Sequence, residues 1–417
     1  MRLARRLAQA IWGSSMHVCV MGAGIVGLAS AYALRQAGHD VTVVDRGQPG
    51  TGASAGNGAQ LSYSYVQPLA DPSIWRQLPK LLLSPDSPLK LRPKLDPAQW
   101  RWGLAFLAAC NAATSRASTA MLLALAARSR EAFERMLLKE RLECDFSATG
   151  KLVLYPTPES FASARQQMAL QRALGTQQQA VSAAECVAIE PALAHYQRHI
   201  AGAIYTASEC AADCRKACAG LHDVLRTQGV RFEMATEVHG FLQRRGTVTA
   251  LTTSRGDVVA DQFVLALGPQ SARYGRMLGL RLPIYPLKGY SITLPVGSAP
   301  APQVSVTDSA RKTVFARLGD RLRVAGMAEL VGEDLQIPQD RIATLRASTE
   351  AVFPGCAAAP DASAWAGLRP ATPTGLPIVG RQAGGPANLW VNSGHGALGF
   401  TLAFGTAAQL CEAIAFG

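Results

Sequence analysis

The chain has 417 residues, 48% of them hydrophobic and 17% charged, which is long enough for two or three domains with sizeable cores. Its net charge of +12 comes from 41 Lys and Arg against 29 Asp and Glu, yet the basic residues are scattered and no nucleic-acid-binding motif accompanies them. No apolar run reaches the ~18 residues that a bilayer span requires, and nine cysteines without the spacing of a secreted scaffold read as reduced cytoplasmic thiols.

Residues 1–15 form a basic N-terminal extension whose apolar stretch is too short for a secretory signal. The first ordered unit follows. His17-Val18-Cys19-Val20-Met21 reads as a short buried strand, Leu28 to Gln36 as a helix, and Asp40 to Val44 as a second buried strand ending at Asp45. Between the first strand and the helix lies Gly22-Ala23-Gly24-Ile25-Val26-Gly27. Strand, glycine turn, helix, strand and acid are the fingerprint of a dinucleotide-binding βαβ unit. Gly22 permits the tight turn, Gly24 lets a pyrophosphate reach the backbone, and Gly27 lets helix and strand pack closely. The helix N-terminus faces the phosphates. Asp45, 23 residues after Gly22, is placed to accept hydrogen bonds from a ribose.

A turn-rich loop, 47–58, comes next, then an irregular proline-containing excursion over 68–97. Helices are predicted near 96–110, 119–141 and 158–174, with a strand at 151–155. Another candidate strand covers 200–205. Asp213 caps a helix running to Gln228, and a strand from Gly229 to Val238 repeats the helix-then-strand grammar of the first unit. Two alternating runs over 240–267 end in a buried strand over 262–268, which includes Ala266 and Gly268. Strands at 290–294, 313–318 and 321–327 suggest a separate antiparallel sheet, followed by a helix over 341–353. A last strand at 389–392 meets Gly394-His395-Gly396 and a closing helix over 398–414. Cys210, Cys214 and Cys218 recur every four residues; we read them as a buried stripe on one helix face rather than a metal site.

The fold class is therefore α/β plus α+β: a discontinuous Rossmann-type domain with a mixed or antiparallel-sheet substrate domain. Expected boundaries are 16–75, 180–280 and 365–417 for the first, and 76–179 and 281–364 for the second. Interleaving of this kind favours a flavin over a nicotinamide enzyme.

Several longer strings carry a resemblance: MGAGIVGLASAYALRQAGHDVTVVD, SAGNGAQLS at 54–62, YPLKGYSITLP at 285–295, RLRVAGMAELVG at 321–332, GLRPATPTGLPIVG at 367–380 and NLWVNSGHGALGFTLAFG at 388–405. On these the chain resembles the FAD-dependent amine and amino-acid oxidoreductases of the D-amino-acid oxidase superfamily. More narrowly, it resembles the small subunits of bacterial D-amino-acid dehydrogenases, from residue 16 onward. The resemblance implies non-covalent FAD and oxidative deamination of D-amino acids to 2-oxo acids and ammonia. A hydride would pass from the α-carbon to flavin N5, and the electrons to a membrane quinone or another acceptor.

It also assigns roles. Asp45 would bind the adenosine ribose, with Arg46 beside the adenine. Ser54, Asn57, Gly58 and Gln60 would contact phosphates and flavin. Val238, Ala266 and Gly268 would meet the cofactor at strand ends. Gly394, Gly396, Leu398 and Gly399 would bring a helix N-terminus to the flavin, where it stabilises reduced-state charge. We read His395 as shaping that turn or touching the flavin rather than as a base. Arg369 is the expected partner of the substrate carboxylate, because its planar fork offers two parallel donors. Lys288 and Tyr290 are candidate catalytic residues or simply the start of a strand. Tyr63 and Tyr65, after the flavin loop, are candidates for the substrate pocket.

Three other readings share these residues: a glycine/sarcosine-type oxidase reducing O₂, a D-proline or hydroxyproline dehydrogenase, and a flavin-binding structural subunit. The net charge is compatible with peripheral contact with an acidic membrane, at the inner face of the plasma membrane, and equally with a role in solubility alone. Trp75, Trp100, Trp102 and Phe106 are read mainly as substrate-domain core.

Overall fold

The computed structural model describes residues 15–66, 68–72, 74–75, 89–358 and 362–416. The N-terminal extension and much of the 68–97 excursion therefore lie outside the described residues.

The first strand, His17–Met21, is apolar and β-branched, and its last four residues are buried. It pairs in parallel with Asp40–Val44 on one side and Gln262–Leu265 on the other. The sheet has six strands. Arg231–Glu233 completes it beyond Asp40–Val44, while Leu389–Ser393 and the antiparallel Ile378–Gly380 complete it beyond Gln262–Leu265. One sheet thus draws on the beginning, middle and end of the chain, as expected for the discontinuous domain.

The helix Ile25–Gln36 packs on this sheet beside the closing helix Gly399–Phe416, which itself meets the strands Ile378–Gly380 and Leu389–Ser393. The closing helix, with the turn before it, is long and apolar enough to cross a membrane, contrary to the sequence expectation. Its burial explains the composition: Phe400, Leu402, Phe404 and Leu410 belong to the main core, and Phe133 stacks edge-on against Phe400 at 5.5 Å.

Phe133 sits on the long helix Ala112–Glu140, which Asn111 caps by accepting from the Thr114 N–H. Leu122, Ala126, Phe133 and Met136 of this helix pack into the Rossmann core. Residues 112–140 therefore join the cofactor-side layer, although sequence boundaries put them in the substrate domain.

Among the described residues the second sheet has nine strands and is mixed, with Leu89–Leu91 pairing in parallel to Arg321–Leu330 off the main path. Tyr285–Pro295 lies between Ser363–Ala371 and Arg321–Leu330, antiparallel to both. Thr313–Leu318, Ser305–Asp308, Lys151–Tyr155, Gly202–Thr206 and Gln179–Val181 continue it. The last two strands move the boundary expected at 180, and Ser363–Ala371 moves the one expected at 365. The expected strand from Gly229 to Val238 is also two elements: Arg231–Glu233 joins the parallel sheet, and Val238 opens a three-stranded antiparallel one. Of the cysteine stripe, Cys214 and Cys218 share the helix Cys214–Thr227, whereas Cys210 lies in the strand before it; all three are buried. No metal-binding cluster occurs among the described residues.

Candidate active site

A cavity of about 510 Å³ runs between the two sheets. At one end it is lined by Gly22, Ala23, Gly24, Ile25 and Val26 with Asp45 and Arg46. Gly22 adopts φ +110°, and a side chain there would lie 2.5 Å from the Ala266 carbonyl oxygen. Gly27 stays out of the cavity. Its own side chain would collide with the Gly22 carbonyl at 1.9 Å, so it serves the packing of helix against turn.

Gly24 caps the helix in an extended conformation without a side-chain hydrogen bond. Ser54 accepts from the Ile25 N–H at 3.1 Å. Asp45 accepts from the Ala23 and Gly47 N–H groups, both at 2.7 Å, which fixes its carboxylate beside the turn. Arg46 is exposed at the rim. With its amide oxygen turned towards Arg46, Gln270 accepts from both terminal guanidinium nitrogens, at 3.1 and 2.9 Å.

The middle of the cavity gathers Ser54, Asn57, Gly58, Val238, Ala266 and Gly268. Thr236, Glu237 and Tyr274 join them, and the Tyr274 hydroxyl holds the Val238 carbonyl at 2.7 Å. Gln60 is not part of the lining. Its amide donates to the Val306 carbonyl at 3.2 Å and its oxygen accepts from Thr307 at 3.3 Å, which ties the loop to the second sheet.

At the far end, Arg369 projects from Ser363–Ala371. It is directly opposite Leu287 in the pairing with Tyr285–Pro295, and two pairs away Gly289 faces Gly367. A side chain on Gly289 would strike the Arg369 guanidinium at 2.3 Å, so this glycine opens the sheet surface for it. A bulge between the Lys288 and Tyr290 pairings, with Met327 at φ +63°, is where the Met327 carbonyl accepts from Arg369 at 2.9 Å. No carboxylate lies within ion-pair distance of Arg369 among the described residues. Burial lowers its pKa to about 10, which still leaves it a cation at neutral pH.

Trp365 lines the same face and was not foreseen. Its indole lies where side chains on Gly56 and Gly367 would have to be, 2.4 and 1.9 Å from their ideal Cβ positions. Only the two glycines flanking it could have signalled it in the sequence.

Lys288 and Tyr290 stand on alternate positions from Leu287 and Gly289, so their side chains leave by the opposite face. Lys288 is buried, donates to the Gln336 carbonyl and lies 3.4 Å from Asp334. The Tyr290 hydroxyl donates to Glu329 at 2.7 Å, and Glu329 in turn pairs with Arg341 at 2.6 Å. Tyr290 still contributes to the lining, but Lys288 does not.

Tyr63 and Tyr65 are also turned away. The buried Glu209 carboxylate accepts from the Tyr63 and Ser64 N–H groups at 2.7 and 2.6 Å, drawing this segment behind the cavity. Arg130 stands over the Tyr63 ring and Lys151 over that of Tyr65.

His395, Gly396, Gly399 and Phe400 close the cavity, whereas Gly394 and Leu398 lie behind the turn. His395 is buried, and burial pushes its pKa down to about 3, so the ring is neutral. Its Nε2 bonds Thr406 at 3.0 Å, and its Nδ1 has no partner. Asn392, also in the lining, keeps an unpartnered Oδ1.

The whole lining suits a long dinucleotide. A bare helix N-terminus and a fixed carboxylate stand at one end, orphaned buried polar atoms at the other.

The sequence matches the model of the FAD-dependent oxidoreductase family over residues 17–413. The chain belongs to that family. It is an FAD-dependent oxidoreductase. It is 48% identical over 415 residues to "D-amino acid dehydrogenase 2" of Ralstonia nicotianae, covering 96% of both chains. The protein of the same name in Pseudomonas aeruginosa is 46% identical over 408 residues, covering 96% of this chain and 95% of its own.

Among solved structures, glycine oxidase from Geobacillus kaustophilus superposes with a TM-score of 0.77 at 21% identity, over 96% of this chain and 94% of its own. L-proline dehydrogenase from P. horikoshii gives 0.74 at 18%, over 96% and 93%. At these identities the superpositions speak for the fold.

Proposed function

We propose that this oxidoreductase deaminates D-amino acids and delivers the electrons to a quinone-type acceptor at the inner face of the plasma membrane. One observation carries the substrate class. Arg369 is a cation on a rigid sheet with no anionic partner in reach, at the end of the cavity remote from the glycine turn. An α-carboxylate is the ligand its fork fits. The D-series is supported by the relatives at 48% and 46% identity, both named D-amino acid dehydrogenases.

FAD, when bound, supplies the hydride acceptor. The residues of this chain do the rest. Arg369 fixes the carboxylate and thereby the direction of the α-carbon. Trp365 and Leu335 line the walls around it and limit water. His395, its pKa lowered to about 3 by burial, is too weak a base to take a proton from the substrate ammonium, so the amine enters as the free base. Loss of hydride and of one proton leaves an imino acid. Water hydrolyses it to the 2-oxo acid and ammonia.

Anaerobic mixing with D- and L-amino acids while following flavin absorbance tests the substrate. Bleaching by D-isomers is expected; bleaching only by glycine or N-methyl amines overturns the reading. Turnover with a quinone analogue against peroxide release in air tests the acceptor.

A further inference from the structure

The helix Pro97–Ala109 buries Gln99, Trp102 and Ala109 but is apolar on its outer side as well. Trp100 is 52% and Leu104 69% exposed, four residues apart on one face, with Ala105 and Ala108 beside them. The adjoining segment Leu89–Leu95 alternates Leu with Lys90, Arg92 and Lys94, and its Leu91 and Leu95 are exposed. Trp100 donates to the Lys94 carbonyl at 2.9 Å, which holds this segment against the helix start. At the other helix end, Trp75 donates to the Cys110 carbonyl at 3.0 Å while its ring stays 52% exposed. The strip therefore runs the length of the helix.

The charges on this strip are mainly basic. Within 89–109 the sequence has Lys90, Arg92, Lys94 and Arg101 against the single carboxylate Asp96, and Asp334 lies near Arg92. Asp96 itself is held as the helix cap, accepting from the Ala98 N–H at 2.9 Å. Arg92, Lys94 and Arg101 are exposed among the Trp and Leu side chains.

We infer that this strip docks on an anionic lipid surface. Indoles and leucines enter the headgroup boundary while flanking Lys and Arg meet lipid phosphates. A protein partner is less well matched, because exposed cations are interleaved with the apolar side chains where the cores of protein interfaces are depleted in charge. The strip also borders the cavity. A side chain on Gly332 would lie 3.0 Å from Lys94 Nζ, and the exposed Glu333 and Leu335, one and three residues further on, line the cavity mouth. Docking would turn that mouth towards the bilayer. The inference deepens the membrane-acceptor reading and rests on it for its purpose, though not for its geometry.

Co-sedimentation of the FAD-loaded full chain with vesicles tests it. Capture by phosphatidylcholine–phosphatidylglycerol vesicles, and not by phosphatidylcholine alone, is expected. Capture should fall about tenfold in high salt, in Trp100→Glu/Leu104→Glu and in Arg92→Glu/Arg101→Glu. Retained flavin and dye-linked turnover in both variants report that they are folded. Absence of capture, equal capture by neutral vesicles, or capture unchanged in both variants overturns the proposal. So does a concentration-dependent dimer that the variants abolish without vesicle binding, which assigns the strip to a second copy. Vesicle capture needs no substrate, so its failure is distinguishable from failure to reduce a quinone analogue.

Discussion

The two ends of the cavity are built by different means. At the glycine-turn end the contacts are backbone groups of one short segment, Gly22 to Val26, set by a helix N-terminus and by Asp45. At the other end they are side chains from separate strands: Arg369 and Trp365 on Ser363–Ala371, made accessible by Gly289 on Tyr285–Pro295. The first end depends on conformation, which few residues other than glycine supply. The second depends on which face of a sheet each residue occupies. Substitutions at the two ends should therefore separate cofactor retention from substrate recognition.

The largest separation is expected at Arg369. Arg369→Ala removes both charge-assisted donors and should lower kcat/KM for D-amino acids by about 10²–10³-fold, since hydrogen bonds to charged groups contribute ~1.5–3 kcal/mol each. Flavin content should be unchanged. Steady-state kinetics together with the flavin-to-protein absorbance ratio check this, and unaltered kinetics would remove Arg369 from the site.

Gly22→Ala should do the reverse. Its φ of +110° and the 2.5 Å approach to the Ala266 carbonyl oppose any Cβ, so a loss of about 2–4 kcal/mol and poor flavin retention are expected. Melting temperature and absorbance report both, and protein reconstituted with excess FAD should keep a near-normal KM. A raised KM in that sample would show that the two ends are coupled.

The same contrast explains what could be read from sequence. The glycine turn was legible because its residues are adjacent in the chain and their spacing is the conformation. Arg369 was legible through the string that carries it. Lys288 and Tyr290 were not correctly placed, because assigning a side chain to a face needs strand register. The pairing Lys288 to Leu368 and Leu287 to Arg369 puts them on opposite sides of the sheet. Tyr63 and Tyr65 failed for another reason: the buried Glu209, far away in sequence, pulls their backbone aside. The domain boundary at 180 failed because Gly202–Thr206 looks like any buried strand until its partner, Lys151–Tyr155, is known.

A smaller effect is expected at Asp45. Asp45→Asn keeps the shape but weakens the two N–H contacts and any ribose contact, so FAD affinity should fall about tenfold, equivalent to ~1.4 kcal/mol. Titration of the apoprotein with FAD, followed by flavin fluorescence, measures it. An unchanged Kd would mean that the turn alone holds this end.

An effect on stability rather than on the site is expected behind the cavity, where Lys151 donates to Ser62 at 2.8 Å, stands 4.5 Å over the Tyr65 ring and feels the Glu209 carboxylate. Burial lowers its pKa from the ordinary 10.5 to about 8. Between these values the folded protein has lost a proton that the unfolded chain still binds, so this residue makes stability rise with pH across that window, by about 3 kcal/mol at most. Below pH 8 both states are protonated and the residue contributes no slope. The buried tyrosines, whose pKa values are raised, act in the opposite sense near pH 10. The measurement is therefore a difference: urea unfolding of wild type and Lys151→Met from pH 7 to 10. Wild type should gain stability relative to the variant above pH 8. Parallel curves would mean that Lys151 stays protonated throughout, and that Glu209 and the Tyr65 ring compensate its burial fully. The segment carrying Tyr63 and Tyr65 would then be held by charge pairing rather than by the two backbone contacts to Glu209 alone.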